Sequence, residues 1–396
     1  MKMNKKDSVV VKLVIILFFF FLIFVNSGEK MINQGDIFVQ HIVGNKSFMI
    51  LSIGIVGLLF SIFSKLEKNL KIDIISVLLL IRFLLFVVSN LMISIEGSNN
   101  TDFQFGIVLA YFLCFCYYII GSFFNNKELI TKLCFWSIVI ITFQLILTYI
   151  GRSLVYSNIV DMKWWMVIPL GQTNSIGCYL IGMMIYLNCS LNKKKTKIIV
   201  LILTLISILF TYSRSGLIIY ALYILYIILL DLKKHKTSSI IKVFSIFVIV
   251  LCAMIILLLN ATYIFDRFSF NSLSSSRIKV YIEGIELFSN NLLIGVGAYI
   301  YHIHDAYKAH NWILETFIQT GIIGSLLFFV IIKKVYIKIK KISPVMTIFM
   351  IFYLIHGLVE PNLYTVNFDS FFWLLIGSCV YTNQFDEKEK KNENCM

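Results

Sequence analysis

Proline is nearly missing from this chain, three residues in 396, and acidic side chains are scarce, 21 against 35 lysines and arginines. Eight cysteines are present, but none stands at a metal-ligand or disulfide spacing, and they read as small apolar packing residues. No internal repeat of fixed period occurs, nor the pair of matching interrupted helices that many secondary transporters carry. The basic residues, for a net charge of +14, do not gather into one patch, which argues against a nucleic-acid partner. A second, soluble domain is also lacking. What fills the chain instead is apolar: 59% of residues, with a mean hydropathy of +0.87. A soluble chain of this length has no core able to hide so much apolar surface, so the expectation is an all-α polytopic membrane protein forming one integral membrane domain over 1–396.

Apolar runs centre on 9–26, 47–63, 72–95, 105–124, 131–150, 166–187, 198–212, 216–230, 240–259, 312–332, 343–358 and 368–381, which predicts about twelve transmembrane helices. Assigning the connections alternately to two sides puts about 24 of the 35 basic residues on one side, and the positive-inside rule then places both termini in the cytoplasm. The first run also has the look of a signal peptide near Ser27, but it is longer than a usual signal core and is read as an uncleaved helix. Lys12 and Arg82 are nearly the only charges expected inside a run.

The seventh and eighth runs meet at Thr211-Tyr212-Ser213-Arg214-Ser215-Gly216, with lysine clusters at their far ends. Arms of about fifteen residues reach some 22 Å into a hydrocarbon layer of about 30 Å. The hinge, with Arg214, is therefore expected in the outer part of the membrane. A cation held there reads as functional; the plainer reading is an interfacial arginine that snorkels to water.

The outer connection from 260 to 311, between the ninth and tenth runs, is far longer than a connector needs to be, and loops of that size are usually functional. Ser274-Ser275-Ser276 offers a helix N-cap, and Ile278, Tyr281, Ile282 and Ile285 then share one face, as an interfacial helix would have them. Arg277 and Lys279 fall in its first turn, either to receive an anion or simply to point into water. Gly295-Val296-Gly297 allows turns or close backbone approach. His302, His304 and Asp305 resemble half a metal site, but the spacing is loose and no further ligands complete it. His310-Asn311 opens the tenth run, where the positive end of the helix favours a neutral imidazole able to accept a proton; an ordinary capping histidine is the alternative. Gly321 and Gly324 in the middle of that run suit close helix packing.

In order and spacing, the Thr-x-Ser-Arg-Ser-Gly hinge, Arg277 with Gly-Val-Gly downstream, and His310-Asn311 leading into Gly-x-x-Gly resemble the bacterial O-antigen polymerase and O-antigen ligase superfamily. Gly171-Gln172-Thr173-Asn174 is similar to another short pattern of those proteins. The resemblance covers about 165–335. It implies a membrane glycosyltransferase of the GT-C type that uses glycans carried on undecaprenyl diphosphate at the outer face of the cytoplasmic membrane. Carried over by position, Arg214 and Arg277 match diphosphate-binding arginines and His310 a proposed catalytic histidine. The aromatic residue expected a few positions after Arg277 appears as Tyr281, and Arg267 is a nearby reserve. Ser213, Asn174 and Asn311 are candidate supporting residues.

The chemistry suits those residue types. Attack of a sugar hydroxyl on a lipid-linked anomeric carbon needs the diphosphate neutralised, which two arginines do by fixed, bidentate contacts, and the hydroxyl deprotonated, which a neutral histidine does. So good a leaving group makes a metal dispensable, no cofactor is called for, and a single displacement inverts the anomeric centre. Polymerase is the reading preferred over ligase, with a chain-length regulator and a flippase as candidate partners. The alternative of another class, a lipid-linked sugar flippase, would be expected to carry charges through both leaflets.

Overall fold

The computed structural model describes residues 5–26, 42–43, 45–67, 73–95, 105–123, 127–154, 166–171, 173–234, 270–298, 309, 311–342, 344–358 and 364–393. Its helices are α1 (Lys5–Phe24), α2 (Lys46–Glu67), α3 (Ile74–Ile95), α4 (Phe105–Phe123), α5 (Lys127–Ser153), α6 (Thr173–Ser190), α7 (Lys194–Thr211), α8 (Arg214–Lys234), α9 (Phe270–Asn290), α10 (Trp312–Ile342), α11 (Pro344–Gly357) and α12 (Val366–Glu393). Two two-residue strands, β1 (Val25–Asn26) and β2 (Ile42–Val43), pair in parallel. Apart from this short pair, the regular structure of the described residues is helical. Each expected run falls on a helix except the ninth, 240–259, which lies outside the described residues. The sixth helix begins later than its apolar run, because Ile168 and Gly171 exchange both backbone hydrogen bonds in a tight turn before Thr173.

Windows in α2, α3, α4 and α5 are long and apolar enough to cross a membrane, and parts of α1, α8, α11 and α12 form shorter apolar helices. Among the described residues these four helices meet that length; α7 starts inside its lysine cluster and α10 is interrupted. Large apolar side chains face outward, among them Leu59, Leu84, Trp136, Ile202, Ile218 and Leu326. Water would penalise such a surface and hydrocarbon does not, so this is a membrane protein.

Packing follows from small residues and from a few polar ties. α4 crosses α12 with Gly121 against Gly377: a Cβ on Gly121 would lie 2.3 Å from the Leu374 carbonyl oxygen, so only glycine permits the approach. Lys46, fully buried, donates to the Leu22 carbonyl at the end of α1 (2.7 Å) and to the Pro169 carbonyl (2.8 Å). A cation thus sits at a helix C-terminus, where the dipole favours it, and joins α1, α2 and the turn that leads into α6. Where α3 begins, Asp73 meets Lys338 of α10 at 2.9 Å and accepts a short hydrogen bond from Tyr118 of α4.

The most consequential departure from regular helix lies in α10. Gly321 has φ 61 and ψ −163, and the helix breaks there. In a continuous helix the amides of Ile322 and Ile323 would bond to the carbonyls of Ile318 and Gln319. Instead Ile322 donates to Leu292 (2.8 Å) and Ile323 to Leu293 (3.3 Å), while the vacated carbonyls of Ile318 and Gln319 accept the amides of Val296 (2.7 Å) and Gly297 (3.0 Å). A segment more than twenty residues upstream has taken over the hydrogen bonds that α10 gives up. An unpaired backbone group in hydrocarbon costs several kcal/mol; here all four find a partner, which makes the break tolerable. Asn90 and Ser89 of α3 hold the inserted segment from the other side, accepting the Ala298 amide (2.6 Å) and donating to the Ile294 carbonyl (2.8 Å). The expectation of simple close packing at Gly321 is thereby corrected: it is a break point, with its Cβ position 2.4 Å from the backbone of Leu293.

Candidate active site

The hinge between α7 and α8 is built by local hydrogen bonds. Tyr212 takes a left-handed conformation (φ 51) that ends α7, and Ser213 is the N-cap of α8. Its Oγ accepts the Gly216 amide at 3.2 Å and lies 3.2 Å from the Ser215 Oγ. The Thr-x-Ser-Arg-Ser-Gly pattern is thus a helix stop followed by a capped start. Arg214 becomes the first residue of α8, at the positive end of a helix whose leading amides have no helical acceptor. Ser213 is fully buried. Opposite it stands Gly177 of α6, whose Cβ position would be 3.4 Å from the Ser213 Oγ. Since Asn174 lies one turn before Gly177 on the same helix, α6 and the hinge form one group.

A second group gathers around the start of α10. α9 begins at Phe270, so the three serines lie inside it and are not its N-cap. Arg277 is consequently about two turns within the helix, and the expected meeting of this arginine with a helix N-terminus does not occur. The helix lays Val280, Gly284 and Phe288 toward the protein. Gly284 packs on Ile318 and Leu314, and the Phe288 ring lies 5.2 Å from that of Phe317. Ile282 and Ile285 stay exposed (59% and 56%), the apolar outer face expected of an interfacial helix, with Tyr281 between the two environments.

Asn311 caps α10, its Oδ1 accepting the amides of Ile313 (2.9 Å) and Leu314 (3.3 Å). His310, Arg267, His302, His304 and Asp305 lie outside the described residues, as do the side chains of Arg214 and Arg277. Among the described residues no group of three or more metal-ligating side chains comes together. α11 packs against α6, α8 and α10 and so links the two groups.

Behind this second group lies a buried polar cluster that the one-dimensional pattern did not assemble. Arg82 of α3, 3% exposed, has its guanidinium carbon 3.9 Å from the ring centre of Phe328 and 4.5 Å from that of Tyr111, and donates to the Tyr364 hydroxyl at 3.2 Å. Such desolvated cation–π contacts are worth about 2 kcal/mol. Tyr364 also bonds to Thr316 of α10. Asp369 of α12, 2% exposed, is near enough for its charge to act on Arg82. Glu315, 1% exposed, accepts the Ala309 amide (2.9 Å) and the Gln319 side-chain amide (2.7 Å), and Gln319 accepts the Tyr111 hydroxyl (3.2 Å). Arg82 is therefore not nearly alone among interior charges. The signal available in one dimension was three ionisable residues in or beside apolar runs, which is rare enough to expect partners.

No curated protein matches the chain. Residues 199–329, running from α7 through the hinge, α9 and the broken part of α10, match the family model described as O-Antigen ligase, so this third of the chain is similar to the O-antigen ligase and polymerase superfamily that its motifs resemble.

Proposed function

We propose that this protein is a metal-independent, inverting polysaccharide polymerase. It joins oligosaccharide repeat units carried on undecaprenyl diphosphate, at the outer face of the cytoplasmic membrane, for capsule, exopolysaccharide or O-antigen. Members of the matched family are glycosyltransferase-like enzymes, which supports the class of chemistry. The observation that carries the reading is the hinge: Ser213 caps α8 so that Arg214 is its first residue, inside the matched segment. A guanidinium beside a helix N-terminus suits a diphosphate, since charge and helix dipole both favour the anion. In this reading Arg214 and Arg277 hold the leaving group, His310 takes the proton from the attacking hydroxyl, and Asn311, Ser213, Asn174 and Tyr281 support them. About twelve spans with cytoplasmic termini, GT-C-like, put these residues on the outer side. Transfer of the glycan to lipid A core or to protein is the second reading, because the matched family is described as a ligase.

The test is an in vitro assay on purified lipid-linked repeat units. The wild type should form polymer, with or without EDTA. His310→Ala should bind the donor yet leave single repeat units on their carrier, with turnover lower by about 10²–10⁴-fold. Arg277→Ala should weaken donor binding as well as turnover. Normal polymer from His310→Ala would remove the general-base assignment. Activity lost with EDTA and restored by a divalent ion would replace the mechanism with a metal-assisted one. No polymer, but transfer when lipid A core is supplied, would make the protein a ligase.

A further inference from the structure

We propose that Glu315 is a positioning residue for His310, an inference that rests on the reading of His310 as the base. An ordinary capping box uses the residue at the third helical position to hold the amide of the N-cap itself. In α10 that position is Leu314, which cannot do so. Glu315, one place later, reaches further back: its Oε2 accepts the amide of Ala309, two residues ahead of the Asn311 cap. The two chain neighbours of His310 are thus both pinned to the same helix, Ala309 by Glu315 and Asn311 by its own capping bonds to Ile313 and Leu314.

The carboxylate is itself held in place. Its Oε1 accepts the Gln319 side-chain amide (2.7 Å), Gln319 accepts the Tyr111 hydroxyl (3.2 Å), and Tyr111 stacks on Phe86 with ring centres 3.9 Å apart. Ala309 and Glu315 are both buried, at 0% and 1% exposure. Burying a carboxylate is costly unless it is hydrogen-bonded, and Asn311 already starts the helix, so starting α10 does not account for Glu315. Fixing the residue between Ala309 and Asn311 does. A general base must sit within a few tenths of an ångström of its productive place, and a displacement of about 1 Å costs on the order of 10²-fold in rate.

Two conservative variants separate this role from others. Glu315→Gln keeps the side-chain length and one oxygen for the Ala309 amide; Glu315→Asp keeps the charge but falls short by a methylene. Turnover and KM for the purified lipid-linked repeat unit are measured on monodisperse protein, with His310→Ala in parallel. Positioning predicts turnover about 30-fold down for Glu315→Asp and within about 5-fold of wild type for Glu315→Gln, with KM unchanged to within about 2-fold in both. Turnover in Glu315→Asp equal to or above that of Glu315→Gln overturns the proposal, because charge and not reach then matters. Wild-type turnover in both, or a lower melting temperature with normal turnover per folded molecule, also overturns it and leaves a structural carboxylate. Full activity in His310→Ala, by contrast, removes the base reading itself, whatever the Glu315 variants do.

Discussion

The amide of Val296 donates to the carbonyl of Ile318 at 2.7 Å, in the place where the amide of Ile322 would stand if α10 were continuous. This one exchange ties the Gly-Val-Gly segment to the helix that begins at Asn311. It depends on backbone conformations at Gly295, Gly297 and Gly321 (φ 70, 65 and 61) that side chains with a Cβ rarely adopt.

Gly321→Ala should therefore be severe. The conformation at this residue, φ 61 and ψ −163, is open essentially to glycine alone, and the new methyl would lie 2.4 Å from the Leu293 backbone. A loss of at least about 1–3 kcal/mol is expected, read as a lower melting temperature in detergent together with lost polymer. A variant that melts and polymerises like the wild type would show that the exchange of hydrogen bonds is not what holds this region.

Arg214→Lys tests the proposed diphosphate contact. Lysine keeps the charge but not the planar fork that binds two phosphate oxygens at once. Polymer formation should fall by at least about tenfold, the value of one lost charge-assisted hydrogen bond, while the amount of protein in the membrane stays near normal. Polymer at the normal rate would mean that no bidentate contact is made there.

Sidedness is checked by thiol labelling. A cysteine at Ser275, in α9, should react with an impermeant reagent added outside intact cells, and one at Lys195, at the start of α7, should not. The reverse result would move the proposed site to the cytoplasm.

Lys46→Met keeps the side-chain stem and removes the ammonium that bonds to Leu22 and Pro169. Two buried carbonyls then lack their donor, at about 1–3 kcal/mol for each group left unsatisfied, partly offset because a buried cation no longer has to be desolvated. A lower melting temperature in detergent is the expected result. An unchanged or higher one would mean that the cost of burying the ammonium outweighs its two hydrogen bonds.

Apolar run length and the lysine clusters by themselves determined that the chain is a helical membrane protein and where nearly every described helix lies, because a membrane-crossing helix satisfies its hydrogen bonds within its own segment. The hinge motif and His310-Asn311 likewise pointed to the superfamily whose ligase model residues 199–329 match, since short motifs survive as local patterns. Tertiary structure alone decided the rest. Gly321 read as a packing glycine because nothing local reveals that Leu292 and Leu293 arrive to take the amides it frees. The serines at 274–276 read as a cap because capping residues are also tolerated inside a helix, and the helix already runs from Phe270. Arg82 read, with Lys12, as nearly the only charge inside a run, and its surroundings stayed hidden because Tyr111, Phe328 and Tyr364 come from three distant parts of the chain. Glu315 stood in plain view one turn into its helix, but its meaning depends on which amides its oxygens reach, and that Ala309 supplies one of them is settled only in three dimensions.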